Sequence, residues 1–321
     1  LNTRGLMEVW QQNFLTALSK RSSIVILRIH DLSSIEAILT PQEVTQLFKD
    51  IAHLLKLIVH DSGVVAVLET GTFALLLHDE KKVQHTIEKC KSKLGNVFTV
   101  NEIPIFVNIF YGIAKAYKRE ESLIALLHRG RIAAEKAIRN NAEISFFESQ
   151  DETQLLRNAK IIHDLNTAIS SNELALVYQP QIKLNTGKVT RLEALIRWPH
   201  PELGMISPGE FIPLVEGTLL INPFTKWVLE KSLSQLSFWL EKGFDLCLSI
   251  NFSIKNFYDP TVFNLIYDIL QKYNIPPERL EIEITETAFT TNLDQVAAVL
   301  STLGKMGVRI AIDDFGTGQA S

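Results

Sequence analysis

Four oxygen-bearing side chains recur at similar positions in the second half of this 321-residue sequence. Glu193, Asn251, Glu283 and Asp313 each stand near the end of an apolar run that predicts a β-strand. Because alternate residues of a strand share a face, each lies on a polar face opposite an apolar face that would meet helices. If the strand ends converge, they form an oxygen-rich cluster that suits Mg²⁺ or Mn²⁺ better than zinc.

The chemistry that such a cluster supports is metal-assisted hydrolysis. Two bound ions could activate a water molecule and neutralise a phosphodiester, while Arg197 offers a fork for phosphate oxygens. Asp314 would point away from Asp313 on a regular strand, but the glycines that follow it could turn it back to the site. Other interpretations stay open: each carboxylate could be a surface ion-pair partner, Arg197 could pair with Glu193, and a glycosidase pair is rival chemistry.

The elements that position these residues alternate from Leu174 onward. This alternation predicts parallel βα units, arranged either as a doubly wound sheet or as a barrel. In a barrel, active sites form at the C-terminal ends of the strands. The predicted strands cover 175–179, 189–197, 246–251, 280–284 and 308–313, and the predicted helices cover 224–242, 261–273 and 293–306.

The first half predicts a separate mixed α/β unit. The segment Thr40-Pro41-Gln42-Glu43 is a capping box with proline at the first helical position, so a helix begins there and ends before Gly63. Two apolar runs on either side of Gly71, 64–68 and 73–77, predict a β-hairpin. The other predicted elements are strands at 24–29, 105–113 and 144–147 and helices at 83–94 and 121–139.

Length and composition bound the protein class. We expect a first domain over 1–150, a connecting helix over 151–171 and a second domain over 172–321. A formal net charge of −4 without a dense basic block argues against a DNA or RNA polymer as partner. No apolar run approaches the roughly 18 residues that cross a bilayer. With only two, widely spaced cysteines, we expect a cytoplasmic location, although an upstream segment could tether the parent protein to a membrane.

Six ordered motifs in the second half resemble the EAL domain. The resemblance covers about residues 160–321 and implies a modified TIM-like barrel, two Mg²⁺ or Mn²⁺ ions and a phosphodiesterase that hydrolyses cyclic di-GMP to linear pGpG. The motifs are Tyr178-Gln179-Pro180-Gln181-Ile182, Glu193-Ala194-Leu195-Ile196-Arg197-Trp198, Ile206-Ser207-Pro208 with Phe211-Ile212-Pro213-Leu214, Asn251-Phe252-Ser253, Glu283-Ile284-Thr285-Glu286 and Asp313-Asp314-Phe315-Gly316-Thr317-Gly318.

The resemblance assigns roles to individual residues. Gln179 and Arg197 match substrate-contacting positions, and Glu286 matches the glutamate that anchors the loop after Asp314 and helps to shape a dimer surface. The implied catalytic residues are Glu193, Asp313 and Asp314. The family's metal ligands match Glu193, Asn251, Glu283, Asp313 and Asp314.

Two features qualify the EAL resemblance. Residues 215–221 depart from the family pattern outside the metal set, and the strand pattern stops just past Asp314. We therefore expect the later barrel strands, with further catalytic residues, to lie beyond Ser321. The alternative function is a catalytically silent receptor that binds cyclic di-GMP and signals to a partner. The resemblance also implies a homodimer through the EAL domain.

The first half resembles a GGDEF domain, the diguanylate cyclase fold with a ferredoxin-like core, over about residues 1–150. Its signature is replaced by Glu69-Thr70-Gly71-Thr72-Phe73, so Thr72 stands where cyclisation needs a metal-binding carboxylate. Only Asp31 survives as an acidic residue at the other metal-like positions, and the inhibitory-site pattern is lost at 60–63. The resemblance therefore implies an inactive cyclase domain that regulates the barrel, dimerises or contacts a protein partner.

Overall fold

The computed structural model describes residues 1–14, 22–95, 98–116, 122–171, 173–285 and 293–313. The chain divides into two compact units, Leu1–Leu156 and Arg157–Ser321. None of the helices in the described ranges combines the length and the apolar character that crossing a membrane requires.

The first unit contains a five-stranded sheet with helices on both faces and a separate two-stranded hairpin. Its strands are β1 (Ser23–Ile29), β2 (Gly63–Glu69), β3 (Thr72–Leu77), β4 (Phe98–Val100), β5 (Ile103–Ile105), β6 (Ile109–Lys115) and β7 (Ile144–Phe146). Its helices are α1 (Thr3–Phe14), α2 (Leu32–Ile38), α3 (Pro41–Val59), α4 (Val83–Leu94) and α5 (Leu123–Arg139). The sheet order is β2-β3-β1-β6-β7, and β4 pairs with β5 in a separate hairpin.

Strand β1 is apolar on both faces because helices cover both sides of the sheet. Val25 and Leu27 belong to the core cluster that includes α3 and α4, whereas Ile24 and Ile26 belong to the cluster that includes α1 and α5. A continuous apolar run is typical of a strand buried on both faces. The predicted strand at 24–29 is confirmed, with Ser23 as its first residue.

Two local predictions in the first unit are confirmed. Thr40 and Glu43 form the capping box at the start of α3: the Thr40 amide donates to Glu43 Oε2 at 2.8 Å, and the Glu43 amide donates to Thr40 Oγ1 at 3.4 Å. Strands β2 and β3 form the predicted hairpin. Gly71 lies at its bend with a φ of 70°, a left-handed conformation that glycine adopts without steric cost.

The prediction of one continuous strand at 105–113 is wrong. Ile103–Ile105 folds back onto Phe98–Val100, and the central sheet strand begins only at Ile109. The turn between β4 and β5 is made by Asn101 and Glu102, which have φ values of 48° and 67°. An apolar pattern does not reveal such a break because the residues on both sides of it are apolar.

The second unit contains a sheet of six strands. A helix that begins in the first unit, α6 (Ser149–Ser171), leads into it. Its strands are β8 (Ala175–Lys183), β9 (Lys188–His200), β10 (Gly204–Ile206), β11 (Cys247–Asn251), β12 (Leu280–Thr285) and β13 (Arg309–Asp313). Its helices are α7 (Pro208–Glu216), α8 (Ile221–Glu241), α9 (Val262–Lys272) and α10 (Leu293–Met306).

The expectation that all strands of the second unit are parallel needs one correction. Strands β9, β11, β12 and β13 pair in parallel in that order, but β8 and β10 pair with β9 in antiparallel fashion. The connection at 184–187 is far shorter than the dozen or so residues that a parallel crossover needs. The first two strands therefore form a hairpin, and the βα alternation begins with β9.

The apolar face of the parallel strands carries the core of the second unit. Trp198 is fully buried, with its ring centroid 5.4 Å from that of Phe211, and Leu248 and Ile282 are also fully buried. These residues alternate along the strands with the polar residues of interest. Burial of one face fixes the opposite face as the one that carries Glu193, Asn251 and Glu283.

A histidine at the end of β9 joins this strand to helix α6. The His200 ring is buried, and its Nε2 lies 3.0 Å from Asp164 Oδ2. Its Nδ1 accepts the backbone N–H groups of Glu202 and Leu203, each at 3.1 Å. Because Nδ1 accepts and therefore carries no hydrogen, Nε2 is the nitrogen that donates to Asp164. Lys160 Nζ lies 3.1 Å from the same carboxylate oxygen.

This network gives a pH-dependent prediction. Hydrogen bonds from Lys160 and then from His200 lower the pKa of Asp164. A lowered folded-state pKa stabilises the fold above the unfolded value of about 3.9, and that stability is lost as the pH falls through the folded-state pKa. We expect Asp164→Asn to be less stable than wild type at pH 7, with a difference that shrinks below pH 4 in urea unfolding. Asp268→Asn, at an exposed position on α9, is the control, and a pH-independent difference would contradict the prediction.

Candidate active site

The register of the parallel strands aligns the polar residues in rows. Ser249 on β11 is the direct neighbour of Glu193 on β9 and of Glu281 on β12. One step toward the strand ends, Asn251 is the neighbour of Glu283. All five side chains therefore lie on one face of the sheet, in two adjacent rows.

Contacts and charge link the row of Asn251 and Glu283 to Glu193 in the neighbouring row. Asn251 Nδ2 donates to Glu193 Oε1 at 2.9 Å. Glu283 is 8% exposed, and burial together with the charge of Glu193 raises its pKa to about 7. Asp313, which is exposed at the end of β13 opposite Thr285, adds a smaller repulsion. The carboxylates are therefore close enough for each to disfavour the ionisation of the others. A bound cation would have the opposite effect and favour their ionised forms.

The two residues that the sequence predicts to contact substrate lie on β8 and β9. Gln179 on β8 is exposed and is the direct neighbour of Glu193. Arg197 is partly buried, and its Nη1 donates to the backbone carbonyl of Ile196 at 2.7 Å. The alternative in which Arg197 pairs with Glu193 is not formed: residues four apart on a strand are about 13 Å apart, and Glu193 accepts from Asn251 instead.

Two predicted site residues, the metal ligand Asp314 and the loop anchor Glu286, lie outside the described residues. Within the described ranges, no three His, Cys, Asp or Glu side chains are close enough together to hold a metal ion. In their chemistry, Glu193, Asn251 and Glu283 fit a hard cation, because carboxylate and amide oxygens are the donors that Mg²⁺ and Mn²⁺ prefer.

Three residues below this row were not singled out as functional from the sequence. Ser249 Oγ donates to Glu281 Oε1 at 2.8 Å, and Arg191 Nη1 lies 2.7 Å from the same oxygen. The period-2 pattern already placed Ser249 and Glu281 on the polar face. Arg191 gave no such signal, because its contact is with a residue 90 positions along the chain.

In the first unit, a basic residue on β1 lies beside Thr72, the hairpin residue that replaces the expected metal-binding carboxylate. Thr72 is 4% exposed, and its direct neighbour on β1 is Arg28. The Arg28 guanidinium forms an ion pair with Glu135 on α5. Asp31, expected near this site, is the exposed residue that precedes α2, and its φ is 55°. The strand register places the cation of Arg28 beside Thr72.

Comparisons with known proteins identify a family for each half of the chain. Two family models match the chain: the diguanylate cyclase GGDEF domain over residues 1–143 and the EAL domain over residues 162–321. The bifunctional diguanylate cyclase/cyclic di-GMP phosphodiesterase MucR of Pseudomonas aeruginosa is 30% identical over 283 residues, which are 85% of this chain and 40% of MucR. The cyclic di-GMP phosphodiesterase PA2567 of the same organism is 40% identical over 162 residues, which are 50% of this chain and 28% of PA2567.

A solved structure shares the fold of the whole chain. It is the S helix-GGDEF-EAL structure of Vibrio cholerae LapD, bound to c-di-GMP. It matches with a TM-score of 0.58 and 17% identity, covering 99% of this chain and 75% of that one. At this identity the likeness shows the fold alone. The chain spans less than half the length of MucR and of PA2567.

The fold and the site together define a class of protein: a mixed α/β unit followed by a TIM-like barrel unit with carboxylates and an amide at its strand ends. The chain belongs to the GGDEF–EAL family.

Proposed function

We propose that the whole protein that contains this chain hydrolyses cyclic di-GMP to linear pGpG, and that the EAL unit carries the reaction. The observation that carries the proposal is the contact between Asn251 and Glu193 beside the buried Glu283 at the ends of three neighbouring parallel strands. The names of MucR and PA2567 support the same substrate. A site of hard oxygen donors next to an arginine suits a phosphodiester better than a glycoside.

Five residues would hold the two Mg²⁺ or Mn²⁺ ions of the proposed mechanism: Glu193, Asn251, Glu283, Asp313 and Asp314. When bound, such ions lower the pKa of a water molecule and neutralise the charge that develops on the phosphodiester. The chain's own residues prepare the site for this chemistry. The Asn251 amide would orient the Glu193 carboxylate, and Glu283, whose pKa is raised to about 7 by burial and by Glu193, would bind a cation in its ionised form.

The substrate would be held by residues beside the carboxylates. Arg197 carries a planar guanidinium that can pair with phosphate oxygens, and Gln179 presents an amide next to Glu193. Both belong to the β8–β9 hairpin, so they would contact the substrate from the β8–β9 side of the proposed metal ligands. Glu286 would anchor the loop that follows Asp314.

One experiment separates the enzyme from the silent receptor. The whole protein is incubated with cyclic di-GMP and Mn²⁺, pGpG is followed by chromatography, and binding is measured in parallel with Ca²⁺ in place of Mn²⁺. We expect metal-dependent accumulation of pGpG. Tight binding without any product would contradict the enzyme and support the receptor.

We also propose that the GGDEF unit has no cyclase activity and acts as a regulatory module, open to a protein partner. Arg28 supports this proposal, because its positive charge lies directly beside Thr72, where a second divalent cation site would need a carboxylate. Glu135 already compensates that charge through an ion pair. The unit thus offers an ion-paired surface in place of a metal site.

The substitution Thr72→Glu tests the inactive cyclase. We expect no cyclic di-GMP to form from GTP and Mg²⁺, because the new carboxylate would pair with Arg28 instead of holding a metal ion. Thr72→Ser, which keeps a neutral hydroxyl at this buried position, is the matched control. Synthesis of cyclic di-GMP by the glutamate variant would overturn the assignment.

For assembly and location, we propose that the EAL unit forms a homodimer and that both units work in the cytoplasm, whether or not another segment tethers the whole protein to a membrane. A dimeric mass in light scattering, lost when the EAL unit is deleted and kept when the GGDEF unit is deleted, would support this arrangement. A monomer at all protein concentrations would contradict it.

A further inference from the structure

A buried carboxylate that is paired with an arginine lies in the same row of the sheet as Glu193. Glu281 is 5% exposed and is on the same face of β12 as Glu283, two residues earlier. Its Oε1 receives two donors, Ser249 Oγ at 2.8 Å and Arg191 Nη1 at 2.7 Å. Ser249 is itself fully buried between Glu193 and Glu281. The Arg191–Glu281 pair is therefore linked through Ser249 to the strand neighbour Glu193, one of the proposed metal ligands.

The Arg191–Glu281 ion pair also balances the charge of a buried carboxylate. A buried carboxylate without a partner is strongly unfavourable, and here it would also repel Glu283 and Glu193. Glu281 is chemically the same kind of ligand as Glu283, and on a strand the two are only about 7 Å apart. A selective cation site therefore needs a group that prevents Glu281 from binding the cation.

Arg191 is the group placed to do so. Its guanidinium approaches from the end of the strands opposite the site, where it lines a cavity of about 480 Å³ together with Arg279 and Arg309. Arg279 pairs with Asp245 in the loop before β11, and Arg309 Nη1 lies 3.9 Å from Cys247 Sγ. Among the basic residues that line this cavity, Arg191 is the one paired with a carboxylate of the central strands.

We propose that Arg191 is a positioning residue that holds Glu281 out of the metal-binding set, so that Glu281 does not compete with Glu283 and Glu193 for the cation. This inference rests on the proposed function. It predicts that removal of Arg191 makes the site more negative and releases a competing ligand. A cation would then bind more tightly but in the wrong place.

The test compares three variants of the whole protein with wild type. Arg191→Met removes the charge and keeps an apolar stem, and the double variant Arg191→Met with Glu281→Gln removes both charges. Arg279→Met is the matched control, because it removes an arginine from the same cavity that is paired with a loop residue. Mn²⁺ affinity is measured by calorimetry, and turnover of cyclic di-GMP is measured at saturating Mn²⁺.

We expect Arg191→Met to bind Mn²⁺ about fivefold more tightly and to lose about tenfold in kcat, since a positive charge has left the vicinity of the cation. The double variant should return both values to within about twofold of wild type, and Arg279→Met should change neither. Tighter Mn²⁺ binding together with a lower kcat distinguishes a positioning role from a general disruption of the fold, which would weaken Mn²⁺ binding and lower kcat. Weaker Mn²⁺ binding by Arg191→Met, or no recovery in the double variant, would overturn the inference.

Two further measurements keep the test decisive. If Arg191→Met does not fold, Glu281→Gln alone leaves Arg191 without its charged partner, and we expect about fivefold weaker Mn²⁺ binding. Unchanged binding would then overturn the inference. If the wild type turns over no cyclic di-GMP, the proposed function fails, while the Mn²⁺ affinities of the variants still decide the role of Arg191.

Discussion

Replacing Glu193 by alanine should reduce Mn²⁺-dependent hydrolysis of cyclic di-GMP by about a thousandfold or more, since a metal ligand supplies several kcal/mol of transition-state stabilisation. The variant also leaves the Asn251 amide without the carboxylate that it contacts at 2.9 Å. The measurement is pGpG formation by the whole protein at saturating Mn²⁺. Thermal unfolding of the same samples checks that the loss is not a loss of fold.

Two comparisons sharpen this test. Glu193→Gln keeps the size of the side chain and an oxygen that can accept from Asn251, so a comparable loss would identify the charge as the essential property. Glu230→Ala removes a carboxylate from the surface of α8, where it pairs with Lys272, and should leave turnover unchanged. Full activity in Glu193→Ala would refute the assignment of Glu193.

Replacing Gly112 by alanine should destabilise the first unit by about 3 kcal/mol, because the added methyl group meets backbone atoms that cannot move aside. A Cβ at this position on β6 would lie 2.1 Å from the Ala134 nitrogen and 2.3 Å from the Gly130 oxygen of α5. The helix would have to move away from the sheet. Urea unfolding followed by circular dichroism measures the effect.

Other glycines of the same unit provide the controls for Gly112. At Gly130 the added Cβ would meet the side chains of Ile24 and Ile26 at 2.8–2.9 Å, which can partly adjust, so the cost should be smaller. At Gly5, on α1, the nearest atom is the end of the Leu1 side chain at 3.2 Å, and alanine should be neutral or slightly stabilising. Equal effects at all three positions would contradict the steric explanation.

Much of the fold could be predicted because its signals are local. Thr40 and Glu43 are three residues apart, so their capping box can be recognised from the sequence alone. Helix α4 has the predicted ends, Val83 and Leu94, because its apolar spacing is regular. The strand predicted at 105–113 failed because the chain breaks between Ile105, the end of β5, and Ile109, the start of β6, although Phe106 and Val107 continue the apolar pattern.

The residues of the candidate site could be predicted from the sequence, but their arrangement in the sheet could not. Period-2 alternation placed Glu193, Asn251 and Glu283 on polar faces, and the motifs around them identified the family. The pattern did not give the strand order, nor the antiparallel pairing of β8 with β9 that brings Gln179 beside Glu193. Those features depend on which strands meet, and that is a property of the assembled sheet.

The sequence by itself determined the two-domain plan, the residue types of the site and the loss of the cyclase signature at Thr72. The tertiary structure alone decided which charges compensate one another. Arg191 reaches Glu281 across 90 positions of sequence, and Arg28 reaches Glu135 across 107. Ionic contacts depend on distance in space, which the folded sheet sets and local spacing does not encode.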